Sequence, residues 1–397
     1  MRSDYDVVVV GAGPSGSVAA RRAAEGGLKV LLIEKRQEIG VPVRCAEAIG
    51  ADLSRPFLDY DPNWVDATIR AFEVHNSSGQ AVRLPPVEPT LVVNRKVFDY
   101  QLALKAARVG AEVRTSTAAV GLVIENNSVK GVMIESLGRS ETISARLVVA
   151  ADGTESQVAR WAGLKTVPSF SDYYVGIEFL LAGMQSKMDP QICEYHLDRS
   201  LAPGGYLWVF PKGEDTANVG LVISADNGNN ASALSYLEIF VARRYPNTSV
   251  MAVIAGGIAV TCALKTLATD GLVVVGDAAH QADPLTAGWI CLGMIAADLA
   301  MSVAVPALHA GDVRASRLRG YETLWQKRFG KMHQALYQVR KILNNMDQDR
   351  LDGLVRRASE LPLVEMSVGQ IVLTLLKNDP LLLFEVRSLI ATGLILK

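Results

Sequence analysis

Three glycines and one acid near the start of the chain have the types and spacing of a nucleotide-binding site. Gly11, Gly13 and Gly16 form a Gly-x-Gly-x-x-Gly motif, and Glu34 ends the next apolar segment. In such a motif the first glycine allows a tight turn, the second lets a pyrophosphate approach the backbone, and the third lets helix and strand pack closely. The helix N-terminus attracts the phosphates, and the Glu34 carboxylate suits the hydroxyls of an adenosine ribose. The spacing predicts dinucleotide binding, since a purely structural turn would leave Glu34 unexplained.

Two further turns that contain an acid bear on which dinucleotide is bound. Asp152 and Gly153 follow one apolar run, and Gly276 and Asp277 follow another. At the end of a buried strand, Asp277 could accept hydrogen bonds from the ribityl chain of a flavin. The helix predicted to open at 284–288 would offer N–H groups to negative charge on the flavin ring. Taken singly, each turn also fits an ordinary turn or a helix N-cap, so the glycine motif alone does not separate FAD from NAD.

Three aromatic residues alternate along one predicted strand. Tyr206, Trp208 and Phe210 are separated by single aliphatic residues, so they point to the same face of that strand. Pro203 and Pro211 mark where the strand starts and stops. A large, rigid apolar surface suits a hydrocarbon substrate that offers no hydrogen bonds. The alternative is that the three rings belong to ordinary core packing.

A cysteine follows the predicted βαβ unit that carries the glycine motif. Cys45 comes directly after Arg44, and an adjacent cation favours a thiolate over a thiol. We therefore predict that Cys45 lies beside the flavin ring, where it positions the ring or handles a proton. A small buried hydrophobic side chain is the alternative.

The elements that position these residues follow from hydrophobic patterning. Short β-branched runs predict buried strands, and alanine- and leucine-rich stretches that end at glycine predict helices. The predicted strands are 5–10, 29–33, 147–151 and 272–275, with more strands over 173–225, and the predicted helices are 17–25, 94–107, 232–244 and a long helical region from about 288.

The order of these elements predicts an α/β (α+β) fold. Its Rossmann-like domain is discontinuous, because an inserted antiparallel β-sheet, predicted to form the substrate domain, interrupts the parallel strands. The C-terminal region is predicted to be helical. The predicted boundaries are 1–72, 90–168 and 255–330 for the FAD-binding domain, 73–89 and 169–254 for the substrate domain, and 331–397 for the helical region.

The charge balance and the cysteines exclude several classes of function. The 397 residues include 40 Lys and Arg against 41 Asp and Glu, so no basic excess exists to neutralise a nucleic acid. The four cysteines form no Cys-x-x-Cys pair and show no zinc-type spacing with histidine, so neither a metal site nor a disulfide scaffold is predicted. We expect a cytoplasmic protein. The apolar stretch 371–396 predicts helices packed on the body, with peripheral contact at the inner face of the membrane as the alternative.

The sequence resembles the flavoprotein group that contains p-hydroxybenzoate hydroxylase, through the glycine motif with Glu34 and the two acid-containing turns at their separations. Two segments resemble the geranylgeranyl reductases of that group, and of these the archaeal type. Segment 42–47, Pro-Val-Arg-Cys-Ala-Glu, is similar to the loop after their second strand, and segment 203–211 matches their Pro-x-x-Tyr-x-Trp-x-Phe-Pro signature. The resemblance covers most of the first 300 residues. It implies FAD as the cofactor and saturation of geranylgeranyl chains in membrane lipid precursors.

The resemblance also implies roles for individual residues. Tyr206, Trp208 and Phe210 would lie near the substrate tunnel, and Cys45, Tyr206 and Trp208 would take part in catalysis. The residues expected at the cofactor, from the motif and the resemblance together, are Gly11, Gly13, Ser15, Gly16, Glu34, Arg44, Cys45, Ala46, Ala48, Arg95, Ala119, Asp277, Gly288, Trp289 and Ile290.

Two parts of the sequence depart from the family pattern. Ala46 and Ala48 stand where members usually carry glycine. Trp289 follows a Pro-Leu-Thr segment in a region that is usually rich in glycine. A tryptophan beside the flavin would narrow the pocket or cover one face of the ring, which bears on the choice of substrate.

The implied reaction passes a hydride from reduced FAD to one carbon of a trisubstituted alkene, while a proton reaches the other carbon. Catalysis would then rest on alignment and on the exclusion of water. No second Gly-x-Gly-x-x-Gly follows a strand, so the electron donor, NAD(P)H, a deazaflavin or a ferredoxin, is predicted to dock transiently. Two alternatives stay open: an aromatic monooxygenase that uses NAD(P)H and O2, and a lipid-binding flavoprotein without activity.

Overall fold

The structure is a computed structural model that describes residues 3–86, 88–226, 231–288 and 290–361. Its strands, in chain order, are β1 (Ser3–Val10), β2 (Val30–Ile33), β3 (Ala48–Gly50), β4 (Val65–Ile69), β5 (Ala71–Asn76), β6 (Ala81–Leu84), β7 (Thr90–Val93), β8 (Glu112–Arg114), β9 (Thr117–Glu125), β10 (Ser128–Ser136), β11 (Arg139–Ala150), β12 (Tyr173–Ala182), β13 (Ile192–Leu197), β14 (Tyr206–Pro211), β15 (Thr216–Ser224), β16 (Ser249–Ala259), β17 (Ala268–Thr269) and β18 (Leu272–Val274). Its α-helices are α1 (Pro14–Glu25), α2 (Ala51–Ser54), α3 (Arg95–Arg108), α4 (Gln157–Trp161), α5 (Ala233–Arg244), α6 (Ile290–His309), α7 (Ala315–Leu318), α8 (Gly320–Trp325), α9 (Lys331–Asn345) and α10 (Gln348–Ser359).

The glycine motif lies in the βαβ unit that its spacing predicts. β1 and β2 are parallel neighbours, with Val7 opposite Val30, and α1 connects them. The helix begins at Pro14, earlier than predicted, because the fixed φ of proline suits the first turn and its missing N–H is not needed there. The turn before α1 therefore presents its backbone beyond the carboxyl end of β1.

The first sheet has the strand order β17-β18-β11-β1-β2-β8, and β10 and β9 continue from β11 as antiparallel neighbours. The strands from β18 to β8 are parallel to one another. They come from separate parts of the chain, so the predicted discontinuous Rossmann-like arrangement is confirmed. Ligands of such sheets bind beyond the carboxyl ends of the parallel strands.

The second sheet has the strand order β16-β12-β15-β14-β13-β5-β6. All of its pairings are antiparallel except that of β5 with β13, so the predicted antiparallel sheet is confirmed with one unpredicted parallel pair. Helix α5 packs on one face, over Leu207 and Leu221. The other face carries Trp208 and Phe210. The domain boundaries drawn from the sequence stay predictions.

A small third sheet, in the order β3-β7-β4, leads into α3. The predicted helix 94–107 is present as α3, and the Asn94 side chain caps it by accepting a hydrogen bond from the Lys96 amide. This arrangement places the first turn of α3 next to the segment that precedes β3, which contains Cys45.

Helices make up the described part of the chain after β18. α6 packs against α1, and α10 packs against β5 and β6. By length and composition α6 could cross a membrane, although most of its most apolar stretch is buried inside the protein. α8 continues into α9 through one π-helical turn, Gln326–Gly330. The apolar stretch 371–396 lies outside the described residues.

Candidate active site

A cavity of about 640 Å³ runs from the glycine turn of the first sheet to the aromatic face of the second sheet. This cavity is lined by most of the residues that we expect at the site. These are Gly11, Gly13, Ser15, Glu34, Arg44, Cys45, Ala46, Ala48, Arg95, Ala119, Tyr206, Trp208, Phe210, Asp277, Gly288 and Ile290. Gly16 does not line the cavity, and Trp289 lies outside the described residues. The structure thus brings the expected residues together, while their individual roles stay predictions.

The three glycines of the turn have different surroundings. Gly13 leaves space for a ligand, whereas protein backbone occupies the space beside Gly11 and Gly16. Gly11 has φ +102°, and a Cβ on it would overlap the Ala151 carbonyl oxygen. A Cβ on Gly16 would overlap the Gly11 carbonyl oxygen. A Cβ on Gly13 would meet nothing within 4 Å, so this position opens towards the cavity. These surroundings fit a pyrophosphate at Gly13 and close packing of helix on strand at Gly16.

Glu34 is held rigidly at the end of β2. Its Oε2 accepts a hydrogen bond of 3.0 Å from the Ala12 amide, and its Oε1 accepts one of 3.1 Å from the Arg36 amide. Each carboxylate oxygen can accept a further hydrogen bond. The carboxylate is therefore fixed where two ribose hydroxyls could bind to it.

Two half-buried acids next to the glycine turn each have one buried oxygen without a hydrogen-bond partner among the described residues. They are Asp152 Oδ1 and Asp277 Oδ1, and both residues line the cavity. Burial raises the pKa of Asp277 to about 7 and also raises the pKa of Asp152. Unpaired buried oxygens are costly and are normally satisfied by a ligand or by water. The hydroxyl-rich chain of FAD fits this donor set, since it would supply the missing hydrogen bonds.

Arg95 lies in the first turn of α3 and is buried with its partner Asp99. Its Nε and Nη2 bind the two Asp99 oxygens at 2.6 and 2.7 Å. The Arg95 backbone amide donates to Glu47 Oε1 at 2.8 Å. The ion pair fixes the Arg95 guanidinium at the cavity wall, where the resemblance expects a flavin contact, and Asp99 balances its charge.

Cys45 is a thiol rather than a thiolate, so the predicted thiolate is wrong. Burial raises the pKa of Cys45 to about 12, although the nearby charge of Arg95 acts in the opposite direction. The Glu47 amide lies 3.2 Å from Cys45 Sγ and donates to it. Removal of water from around the sulfur outweighs the attraction of the cation, which the neighbouring Arg44 in the sequence does not reveal.

The three aromatic residues of β14 share the cavity face of the second sheet, as their alternation predicts. Tyr195 on β13 packs edge-on against Tyr206 and Phe210, with ring centroids 5.6 and 5.4 Å apart. The Tyr206 hydroxyl donates to the Thr286 carbonyl oxygen, and burial raises the pKa of Tyr206 well above its usual value. The aromatic rings make this wall an apolar surface, and the Tyr206 hydroxyl is already occupied.

Glu178 on β12 is a cavity residue that the sequence analysis missed. Its Oε2 accepts a hydrogen bond of 3.0 Å from the indole N–H of Trp208. Burial, with a further contribution from the charge of Glu47, raises the pKa of Glu178 well above its usual value. The available signal was a single acid inside the otherwise apolar segment 173–182.

A second missed cluster surrounds Glu47, which has φ +71°. Its Oε2 accepts hydrogen bonds from Lys212 Nζ and, at 2.8 Å, from Asn218 Nδ2. Lys212 also lies 2.8 Å from Asp66. Glu47 belongs to the loop before β3, which also contains Cys45. Asn218 lies on β15 and Lys212 directly follows β14, so these contacts connect the Cys45 loop to the second sheet.

The sequence predicts no metal site, but the described chain contains one group of side chains close enough together to hold a metal ion. His75, Glu194 and His196 are buried, and their ligand atoms lie within 4.8 Å of one another. The two imidazole rings are stacked, with centroids 4.5 Å apart and an angle of 18° between the ring planes. Because the rings are nearly parallel, a metal ion in the plane of one ring would lie outside the plane of the other, so the two rings cannot both bind it. His196 and Arg244 already bind Glu194 Oε2 at 3.0 and 3.3 Å. These contacts satisfy the carboxylate without a metal.

Two family descriptions match the sequence. Residues 6–168 match the FAD dependent oxidoreductase family, and residues 172–260 match the geranylgeranyl reductase catalytic domain. The first match contains the glycine turn and Glu34, and the second contains Glu178 and the aromatic strand. The cofactor of the chain is FAD.

Similar proteins match along nearly the whole chain. The digeranylgeranylglycerophospholipid reductase of Methanocella arvoryzae is 39% identical over 98% of this chain and 100% of its own length. The protein of the same name from Methanosarcina acetivorans is 38% identical over 98% of this chain and 97% of its own length. The crystal structure of a geranylgeranyl bacteriochlorophyll reductase-like protein from Thermoplasma acidophilum has a TM-score of 0.92 and 33% identity, and the match covers 98% of this chain and 100% of that one. The chain belongs to the geranylgeranyl reductase family.

Proposed function

We propose that the protein is an FAD-dependent reductase that saturates the C=C bonds of geranylgeranyl chains in membrane lipid precursors. The observation that carries this proposal is the single cavity that connects the glycine turn to the aromatic wall of β14. A cofactor bound at the turn and a hydrocarbon chain on the wall would meet inside one cavity. The names of the relatives support the same substrate class.

The residues of the chain contribute binding, orientation and exclusion of water. Reduced FAD supplies the hydride. Glu34, Asp152 and Asp277 provide the acceptors for its hydroxyl groups, and the aromatic wall holds the hydrocarbon chain. An isolated alkene offers no oxygen that a protein group could polarise, so alignment in a dry site has to supply most of the rate.

The test is an anaerobic single turnover. The purified protein is loaded with FAD, reduced with dithionite and mixed with a lipid that carries geranylgeranyl chains. We expect the flavin to be reoxidised and the lipid mass to increase by one H2 per saturated bond. Unchanged lipid together with flavin that stays reduced would contradict the proposal. Oxygen uptake with a phenol would instead favour the monooxygenase alternative, which family membership disfavours.

The electron donor, the location and the membrane contact belong to the proposal. We infer a donor that docks transiently, because in the described chain only the turn at Gly11 has the form of a dinucleotide site. We place the protein in the cytoplasm at the inner face of the membrane, since its lipid substrate does not dissolve in water. Cosedimentation with phospholipid vesicles tests the contact, and protein that stays in the supernatant at every vesicle concentration would contradict it.

A further inference from the structure

The second sheet presents one carboxyl group to the aromatic part of the cavity. Glu178 is 3% exposed and lines the cavity beside Trp208 and Tyr206. Its neighbours in the strand, Ile177 and Phe179, belong to the hydrophobic cluster on the other side, under α5. A charged residue type in the centre of an apolar sheet costs stability unless it is satisfied or has a function.

A row of three residues across the sheet explains how Glu178 is held. Glu178 on β12 lies opposite Gly220 on β15, and Gly220 lies opposite Trp208 on β14. A Cβ on Gly220 would lie 2.7 Å from Trp208 Cε2. Only glycine leaves the space that the indole needs to cross β15. The indole N–H can therefore reach Glu178 Oε2.

The two oxygens of Glu178 have different surroundings. Oε2 accepts the indole hydrogen bond, whereas Oε1 is buried and has no hydrogen-bond partner among the described residues. A neutral carboxyl group has one oxygen that accepts and one that carries the proton. Since Oε2 accepts from Trp208, the proton belongs on Oε1, which has no protein group to donate to.

The charged and titratable groups around Glu178 favour its neutral form. Burial acts first, and the charge of Glu47 acts in the same direction. Lys212 opposes them, but its ammonium group already binds Glu47 and Asp66. Burial raises the pKa of Cys45, a further titratable neighbour, to about 12, which favours its uncharged thiol. No cation in the described chain binds Glu178 directly.

We propose that Glu178 is the general acid of this reductase, which donates the proton on Oε1 to the alkene carbon that does not receive the hydride. This inference rests on the proposed function. Trp208 is then a positioning residue, because it fixes Oε2 as the acceptor and so leaves the proton on Oε1.

The step balances in atoms and electrons. The Oε1–H bond breaks, its electron pair stays on the carboxylate, and the proton forms a C–H bond with the π pair at the less substituted carbon. The other carbon accepts the hydride that reduced FAD supplies, so the alkene gains two electrons and FAD loses two. Glu178 recovers a proton from water when the saturated chain leaves.

The proton donors of β14 and of the Cys45 loop are weaker candidates. The Tyr206 hydroxyl donates to Thr286, and the indole N–H of Trp208 donates to Glu178 itself. The thiol of Cys45 is a far weaker acid than a carboxyl group, since burial raises its pKa to about 12. Among these groups, Glu178 combines an acidic proton with an oxygen that is not engaged.

The test compares Glu178→Gln with the wild type and with Glu238→Gln, which removes an exposed acid from α5. Glutamine keeps the shape and can still accept from Trp208, but it has no acidic proton. We expect unchanged FAD binding and a rate of alkene reduction in a single turnover that is about 100- to 10,000-fold lower, as for the loss of a general acid. Glu238→Gln should react at the wild-type rate. A Glu178→Gln rate within a few fold of wild type would overturn the inference.

An infrared measurement on the holoenzyme tests the same claim without turnover. In the difference spectrum of wild type minus Glu178→Gln at neutral pH we expect the carbonyl band of one protonated carboxyl group, because the bands of other acids such as Asp277 cancel. Wild type minus Glu238→Gln should show no such band. In Trp208→Phe the Glu178 band should persist and move to higher frequency, because the carbonyl loses its hydrogen bond. Absence of the band from the first difference spectrum would show a carboxylate at Glu178 and overturn the inference.

The outcomes separate this inference from the proposed function. If the wild type saturates the lipid and Glu178→Gln does so equally fast, the reductase proposal stands and the acid is another group. If the wild type leaves the lipid unchanged, the reductase proposal fails, and so does the inference that rests on it. Should Glu178→Gln fold poorly, Trp208→Phe assigns the infrared band: a carbonyl band that moves to higher frequency in this variant belongs to Glu178 and supports the inference. A wild type without such a band contradicts it.

Discussion

The backbone of Gly16 packs directly against the carbonyl oxygen of Gly11, so that a methyl group on Gly16 would overlap that oxygen. Gly13 has the opposite surroundings, since a methyl group there would meet no protein atom within 4 Å. One glycine of the motif therefore serves the packing of helix on strand, and another leaves space beside the cavity.

The two glycines should differ when each is changed to alanine. Gly16→Ala should lower the free energy of unfolding of the apoprotein by about 2 kcal/mol, because the methyl group forces the helix away from the strand. Gly13→Ala should change it by less than about 1 kcal/mol but should weaken FAD binding. Urea unfolding and titration with FAD give the two quantities. Equal destabilisation by both variants would contradict this assignment.

Glu34→Gln should weaken FAD binding about tenfold, because hydrogen bonds to an ionised group are worth more than those to an amide. Titration of the apoprotein with FAD measures the affinity. The control is Glu38→Gln, which changes an exposed acid a few residues further along the chain and should bind FAD as the wild type does. Equal loss in both variants would mean that net charge, rather than contact at Glu34, determines the affinity.

Asp277→Asn should stabilise the apoprotein at pH 8 while it weakens FAD binding. The folded-state pKa of Asp277 is about 7, above its usual 3.8, because burial disfavours the charge. Ionised Asp277 therefore destabilises the fold, and stability is lost as the pH rises from about 3.8 to about 7. Asparagine carries no charge, so the variant should gain on the order of a few kcal/mol at pH 8 and less at pH 5. Unfolding by urea at both pH values tests this. An equal change at the two pH values would contradict it.

His333 should make the protein less stable in mild acid. Its ring packs edge-on against Trp325 at 5.2 Å, and burial lowers its pKa to about 4 from the usual 6.5. A lowered pKa means that the neutral ring is stabilising above pH 6.5 and that this contribution is lost as the pH falls towards 4. The loss should reach about 3 kcal/mol. His333→Phe should remove this part of the pH dependence, as measured by thermal unfolding between pH 7 and pH 4. Parallel stability curves for variant and wild type would contradict the prediction.

The features that could be predicted from the sequence are those with a local sequence pattern. The glycine motif, the alternation of Tyr206 to Phe210 and the apolar strands are each readable within a few residues, and the structure places them on one cavity. The thiolate at Cys45 was wrong because burial depends on distant segments, whereas the charge of Arg44 is adjacent in the chain.

The contacts of Glu178 and Glu47 could not be predicted, because they depend on strand register and on the packing of separate sheets, which no local sequence pattern reveals. The Glu178–Trp208 hydrogen bond needs three strands to be aligned so that Gly220 falls between the two side chains. The contact of Lys212 with Glu47 needs the left-handed backbone at Glu47 as well as the meeting of two sheets. Register of this kind is fixed by tertiary packing.

The parallel pairing of β5 with β13 has a consequence for how the protein can be made. Ala71 to Asn76 leave the ribosome long before their partners Ile192 to Leu197, by on the order of ten seconds at ordinary rates of synthesis. Until then β5 has an edge with unpaired backbone groups, which invites pairing with other chains. A fragment that contains only residues 172–260 would have the complementary defect at β13. The second sheet is therefore completed only after β13 has been synthesised, and we expect the fragment 172–260 to aggregate unless β5 is supplied.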